Sequence, residues 1–267
     1  MRYGMAIALL AILLPSILQT PKHPGSRVVC EKSELFRVHN VVAWSTLSDI
    51  RAFFFDTGLA IDADGAFRAY HPQERLGLDI LAHAGRPGNW WALSTDNDRK
   101  SGRPVLQGES DPAPGYYVSM TALYDSRNPN PQDPHRYVDA MKIPYVVLPL
   151  EGFHHARLGD FATVVNLQNG KIAAALVADE STSELKVGEG SIALADALGV
   201  DSDPRYGGRD RGIAYVIYPG SGNGEPRALE DIFASSQRLF AAWGGLDKLN
   251  ACLATGGKFP GGDRPVR

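Results

Sequence analysis

Residues 158–199 narrow the possible folds of this chain more than any other stretch. Gly159-Asp160 opens an apolar run over residues 161–166 that reads as a strand. Asn169-Gly170 is a strong hairpin signal, because both residues tolerate the left-handed backbone that a two-residue turn needs. The run that follows, residues 171–178, is apolar at odd and even positions alike, as expected of a strand buried on both faces. Asp179 stands at the C-terminal end of that run. A polar loop, residues 180–186, leads to Val187-Gly188-Glu189-Gly190-Ser191. Ser191 is a suitable N-cap for a short helix over residues 192–198, with Gly199 positioned to end it.

The rest of the chain reads mainly as strands and turns. The 28 glycines and 18 prolines among 267 residues favour turns and long surface loops over a helical bundle. A helix is expected at 46–54, then a strand at 60–66 entering the turn Asp64-Gly65, with residues 68–72 returning. Further strands are expected at 89–95, 115–119, 145–149 and 215–219. Residues 230–243 form the strongest helix pattern, with Ile232, Leu239, Phe240 and Trp243 on one stripe and Gly244-Gly245 as its stop. Residues 21–34 read as a polar linker.

The formal net charge of −3 argues against a nucleic-acid binder, which is usually basic. Met1-Arg2 followed by an apolar run to Leu14 reads as a secretory signal, too short for a spanning helix. The expected organisation is a signal and linker over residues 1–25, cut between Ser16 and Ser26, and one catalytic domain over 26–267. Such a chain is exported, extracellular or periplasmic, with no stable membrane association after the signal is removed. Cys30 and Cys252 are the only cysteines, and in an exported protein such a pair can form a disulfide.

Asp179 and Glu189 supply what glycosidic cleavage requires. One carboxylic acid protonates the leaving oxygen, and in an inverting enzyme a second carboxylate activates water from the opposite face. A strand end beside apolar residues can desolvate one carboxyl and keep it protonated. Asp after a strand also caps turns, and Glu before a helix also serves the helix dipole, so spacing alone leaves both readings open.

Four runs carry a family resemblance: Ala60-Ile61-Asp62-Ala63-Asp64-Gly65, Gly85-Arg86-Pro87-Gly88-Asn89-Trp90-Trp91, Pro112-Ala113-Pro114-Gly115-Tyr116-Tyr117-Val118-Ser119 and Val187-Gly188-Glu189-Gly190-Ser191. They resemble the chitosanases of glycoside hydrolase family 75, and the similarity extends over residues 53–218. The resemblance implies an endo-acting, inverting enzyme that cleaves the β-1,4 bonds of chitosan. It places the catalytic Asp and Glu at Asp179 and Glu189, with either order of acid and base open. The sequence departs from the family where many members have Asp, a small residue and Gly; here Asp179-Glu180-Ser181-Thr182 stands instead. A second resemblance, of the strand ending in Asp179 and the Gly-Glu-x-Ser helix entry, is to the double-psi β-barrels of family 45 endoglucanases, expansins and lytic transglycosylases. It implies a mainly β fold: a six-stranded double-psi β-barrel core with long loops and a C-terminal helix.

Asp62 reads as turn chemistry or, by the resemblance, as a contact to a substrate ammonium group. Trp90, Trp91, Tyr116 and Tyr117 can stack on sugar rings, but adjacent strand positions face opposite ways, so one of each pair belongs to the core. Trp90 and Tyr116 are taken as the substrate-binding members. No metal or other cofactor is expected: Asp62-x-Asp64-Gly65 lacks the later ligands of a calcium loop, and His154-His155 with Asp160 fits no zinc spacing. The expected partner is the polysaccharide alone, bound by a monomer. Two other functions remain open at this point: action on peptidoglycan or another amino-sugar polymer, hydrolytic or lytic, and non-catalytic expansin-like wall binding.

Overall fold

The structure is a computed structural model that describes residues 30–48, 50–149, 156–181 and 187–254. The expected signal segment 1–25 and His154-His155 lie outside the described residues.

Among the described residues there are ten strands and three α-helices. The strands are β1 (Lys32–Val38), β2 (Val41–Thr46), β3 (Phe53–Asp62), β4 (Gly85–Arg86), β5 (Asn89–Trp90), β6 (Tyr145–Leu148), β7 (Phe161–Asn166), β8 (Ile172–Glu180), β9 (Glu189–Ser191) and β10 (Arg209–Tyr218). The helices are α1 (Ile192–Leu198), α2 (Leu229–Trp243) and α3 (Gly245–Ala254). Six strands close on themselves in the order β3-β10-β7-β8-β6-β9, because β9 pairs back onto β3. Two of these pairings, β3–β9 and β6–β8, are parallel. Closure removes the exposed edges that an open sheet of such apolar strands would present. The mainly β, six-stranded barrel expected from the sequence is the fold observed.

A barrel this narrow is filled by side chains. Strand β7 is buried at every position, and β6 likewise, which explains their unbroken apolar sequences. Phe55 and Tyr215 are direct partners on β3 and β10, and their rings stack at 4.8 Å. Cross-strand aromatic pairs of this kind hold register as well as adding packing energy. Tyr215 is fully inside, and its hydroxyl donates to the Gly58 carbonyl at 2.7 Å, so no buried polar atom is left without a partner there.

Helix α2 covers β7 and β8. Its buried positions are Ile232, Ser236, Phe240 and Trp243. Ser236, rather than Leu239, completes the inner stripe: its hydroxyl donates to the Ala162 carbonyl of β7 at 2.9 Å, and the small side chain lets the helix approach the strand. Trp243 in turn donates to the Thr46 hydroxyl at 2.9 Å, tying α2 to the outer hairpin of β1 and β2. A disulfide between Cys30 and Cys252, with Cα atoms 4.9 Å apart, fastens the start of that hairpin to α3.

Several sequence expectations are corrected: of the strands expected at 89–95 and 115–119 only Asn89–Trp90 forms, the rest pairing through isolated bridges such as Leu93 with Ser119. The helix at 46–54 does not form: β2 runs to Thr46 and β3 begins at Phe53, where a phenylalanine triplet is worth more inside the barrel than on a helix face. Residues 68–72 make turns rather than a returning strand, because Leu78 and Asp79 bond back to the carbonyls of Arg68 and Ala69 as a compact loop. The polar segment before 34 is not all linker, since Lys32 already belongs to β1.

Candidate active site

Among the described residues, six carboxylates line one groove, Asp79 and Glu180 beside the four on which the chemistry turns. Asp62 ends β3, Asp64 lies in the turn beyond it, Asp179 lies near the end of β8, and Glu189 begins β9. All four line a cavity of ≈ 320 Å³. Asp64 and Asp179 also line an adjoining cavity of ≈ 500 Å³, so the two form one continuous groove that crosses the barrel end.

Strand register explains why Asp179 and Glu189 meet. On β6, Val147 pairs with Asp179 of β8 on one side and with Glu189 of β9 on the other. Val146 pairs with Val177, so Ala178 is an extra residue in β8. This bulge shifts the alternation by one and brings Asp179 into line with Val147. A bulge of this type commonly re-aims a side chain next to a site.

Glycines fit Glu189 into its slot. Gly188 adopts φ +86°, and a Cβ there would stand 2.5 Å from Thr57 Cγ2 and 2.8 Å from the Gly58 carbonyl. A Cβ at Gly190 would lie 2.6 Å from both Leu194 Cδ2 and the Tyr145 carbonyl. Only a bare backbone can thread between β3 and β6 at this point. Ser191 then anchors the segment: its hydroxyl accepts from the amides of Tyr145 and Leu194 and donates to the Ile143 carbonyl. The expected N-cap of α1 is therefore also a clamp on β6.

The turn after β3 is held as firmly. The Asp64 amide donates to Asp62 Oδ1 at 2.8 Å, and the Gly65 amide donates to the Ser119 hydroxyl at 3.0 Å. The Tyr70 hydroxyl donates to Asp64 Oδ1 at 2.7 Å, and the Tyr145 hydroxyl donates to the Asp64 carbonyl at 2.9 Å.

Electrostatics at the site follows from crowding. One carboxylate oxygen from each of Asp62, Asp64 and Asp179 lies within 4.8 Å of the others. Burial pushes the Asp179 carboxyl well above the usual carboxylate range, and the Asp62 charge pushes it further. The amides of Ala122 and Glu180, which both donate to Asp179 Oδ1, pull in the opposite direction without prevailing. Asp64 is raised for the same reasons, burial first and then the charges of Asp62 and Asp179. Two such neighbours cannot both ionise cheaply, so the cluster retains protons at a pH where exposed acids have lost theirs. These three all-oxygen groups can hold a hard cation such as Ca²⁺ or Mg²⁺, or a ligand ammonium.

The groove wall beyond Asp62 is built by Asp79 and His83. Asp79 is buried, and His83 Nδ1 lies 2.9 Å from each of its carboxylate oxygens. Arg205 donates to the carbonyls of Glu74, Gly77, Leu78 and Asp79, and so locks the 74–79 loop to the segment before β10.

The aromatic expectations divide. Trp90 is 7% exposed and belongs to the core, so it is not available to a sugar; Trp91 lines both cavities, with its indole N–H donating to the His83 carbonyl at 2.9 Å. Tyr116 lies outside the lining of both cavities, its ring edge-on to His71 and its hydroxyl bonded to the Leu76 carbonyl. Asp64, Tyr70, Asp79 and Trp91 are the site residues that sequence reading did not select. Strand alternation was the available signal for Trp91, whereas Asp79 and Tyr70 reach the site through loop packing that leaves no local pattern.

Comparison with known families agrees with this geometry. Residues 115–242, which include Asp179, the bulge and Glu189, match the family model of fungal chitosanase of glycosyl hydrolase group 75. A search of curated proteins gives no match to the chain. Among the described residues, no helix is long and apolar enough to cross a membrane. Over residues 115–242, just under half of its length, the chain is similar to the chitosanases of glycosyl hydrolase group 75, and this similarity supports a glycoside hydrolase acting on chitosan.

Proposed function

We propose that Asp179 donates the proton and Glu189 activates water, so that the β-1,4 bonds of chitosan are cut with inversion at the anomeric carbon. Asp179 gives its proton to the glycosidic oxygen and the leaving sugar departs as an alcohol. A water on the opposite face loses its proton to Glu189 and bonds to the anomeric carbon. Asp179 suits the donor role because burial and Asp62 keep it protonated. Glu189 suits the base role because it is half-buried at the groove wall, in reach of solvent.

The observation that carries this reading is the shared register partner. Asp179 and Glu189 sit one strand apart on either side of Val147, two strand spacings of roughly 4.7–4.9 Å each. Both side chains line the same cavity, and that arrangement across the groove supports a water held between carboxylate and sugar, as inverting enzymes require. Asp62 is the contact for a substrate ammonium group, and Trp91 the ring on which a sugar stacks. The enzyme acts as an exported monomer, in keeping with the Cys30–Cys252 disulfide and the apolar run near the N-terminus.

The test is proton NMR of the first products from chitosan. An α-anomer appearing first and then mutarotating is the expected result, and an initial β-anomer would mean retention. Anhydro ends from peptidoglycan would favour a lytic reaction that needs no base at Glu189.

A further inference from the structure

The chain holds two Asn-Gly pairs, Asn169-Gly170 and Asn223-Gly224, and all four residues are exposed. Asparagine is thermolabile before glycine, whose nitrogen is uncrowded and can close onto the asparagine side chain. Exposure does not separate the two sites. Crowding does not either, since a Cβ at either glycine would meet nothing. Each side-chain oxygen also accepts from the amide two residues on, Lys171 at 2.9 Å and Glu225 at 3.3 Å. Such an amide stabilises the oxygen on which negative charge gathers during the attack.

The nucleophile and the leaving group tell the sites apart. At the first pair both are held. The Gly170 amide donates to the Asn166 carbonyl at 2.8 Å, and Asn169 Nδ2 donates to the Leu198 carbonyl at 2.9 Å. At the second pair neither the Gly224 amide nor Asn223 Nδ2 donates to an acceptor among the described residues. We propose that Asn223 is a self-modification site, converting to aspartate and isoaspartate in the folded protein while Asn169 persists. The Gly224 nitrogen gives its proton to water and bonds to Asn223 Cγ. The Cγ–Nδ2 bond then breaks, the departing nitrogen takes up a proton, and ammonia leaves behind a five-membered imide. Water adds to either imide carbonyl. Opening at Cγ gives aspartate, and opening at the main-chain carbonyl routes the chain through the side chain as isoaspartate. Water is consumed, ammonia is released, and nothing is oxidised or reduced.

The change falls on a clasp. In residues 220–225 the Gly222 amide donates to the buried Asp160 at 3.0 Å, and the Glu225 carboxylate accepts from the amide and hydroxyl of Ser126. Asp125 already opposes Glu225 with like charge, and the nearby Arg127 is engaged by both oxygens of Asp125. A new carboxylate at 223 adds to that repulsion. Isoaspartate also lengthens the main chain next to Gly222, where a Cβ would collide with the Gly159 carbonyl. Modification therefore loosens the hold on Ser126.

The experiment keeps the intact protein at mildly alkaline pH and follows both peptides by mass spectrometry, with fragmentation that separates aspartate from isoaspartate. Asn223 should convert at least about tenfold faster than Asn169, the factor that two ordinary hydrogen bonds are worth. The chain reduced and unfolded in urea should convert the two at similar rates, because only the fold distinguishes them. Asn223→Gln should leave its peptide intact, since the longer side chain closes a ring far more slowly. Asn223→Asp should be cut by protease within residues 125–133 several-fold faster than the native protein. Equal conversion at the two sites in the folded protein, or conversion at Asn223 only after unfolding, would overturn the proposal. An Asn223→Asp protein no more readily cut than the native one would overturn the loosening of the clasp.

Discussion

Asp179 and Glu189 share one register partner, Val147, which pairs with each of them from the strand between. Neither carboxylate can drift relative to the other without breaking the pairing of β6, so their separation is a property of the barrel rather than of a loop. Proton donors and bases positioned this way contribute about 10²–10⁴-fold each. Asp179→Asn and Glu189→Gln should therefore each lower kcat on soluble chitosan by that order. Circular dichroism and substrate binding should stay close to those of the native protein.

Asp62 tunes the proposed donor. Its charge is one cause of the raised Asp179 carboxyl, second to burial. Asp62→Asn removes that charge, so Asp179 should release its proton at lower pH. Because the donor must be protonated to act, the alkaline limb of kcat should move to lower pH. A pH–rate profile of the variant checks this, and an unmoved or upward-shifted limb would contradict it.

Asp64 links the site to stability. Its carboxyl is raised in the folded protein, chiefly by burial and then by Asp62 and Asp179. The folded state therefore holds this proton more tightly than the unfolded chain does. The associated stability is complete below the unfolded value of about 4, and it is lost as pH rises through the folded value. Asp64→Asn keeps an acceptor for Tyr70 and removes the titration. The variant should melt higher than the native protein at pH 7, by about 2–4 °C for each kcal/mol recovered. The difference should close near pH 3. Thermal melts at the two pH values provide the measurement.

The neighbouring tryptophans should respond differently. Trp91→Ala removes a ring from the groove, so KM should rise about two- to tenfold, equivalent to roughly 0.5–1.5 kcal/mol of ring stacking, with little change in melting temperature. Trp90→Ala empties a core position and should cost about 3–5 kcal/mol of stability. Parallel kinetics and denaturant melts of the two variants distinguish the roles.

Sequence reading reached the parts of this fold whose causes are local. The doubly buried strand β8, the Ser191 cap and the Gly199 stop form where their residue types predict, and the hairpin turns at Asn169-Gly170 as well, though over residues 167–170 and with only Gly170 left-handed. It placed Asp179 at a strand end, and β8 indeed runs only one residue further. What it did not reach depends on distant partners. The phenylalanine triplet at 53–55 reads equally as helix or strand until β10 is beside it. The bulge at Ala178 is visible only through the register of β6. Asp64 reads as turn chemistry in isolation, and it becomes a site residue because Tyr70, Tyr145 and Asp179 close around it.

The disulfide between Cys30 and Cys252 spans 222 positions and so encloses nearly every described surface loop in one covalent ring. A single proteolytic nick at a loop such as 125–133 therefore opens the ring without separating the pieces. A clipped molecule would run as one band on a gel without reductant and as two fragments once thiols are added. With the barrel still paired around the break, it would keep cutting polymer. Damage that would divide an unbridged chain becomes survivable wear.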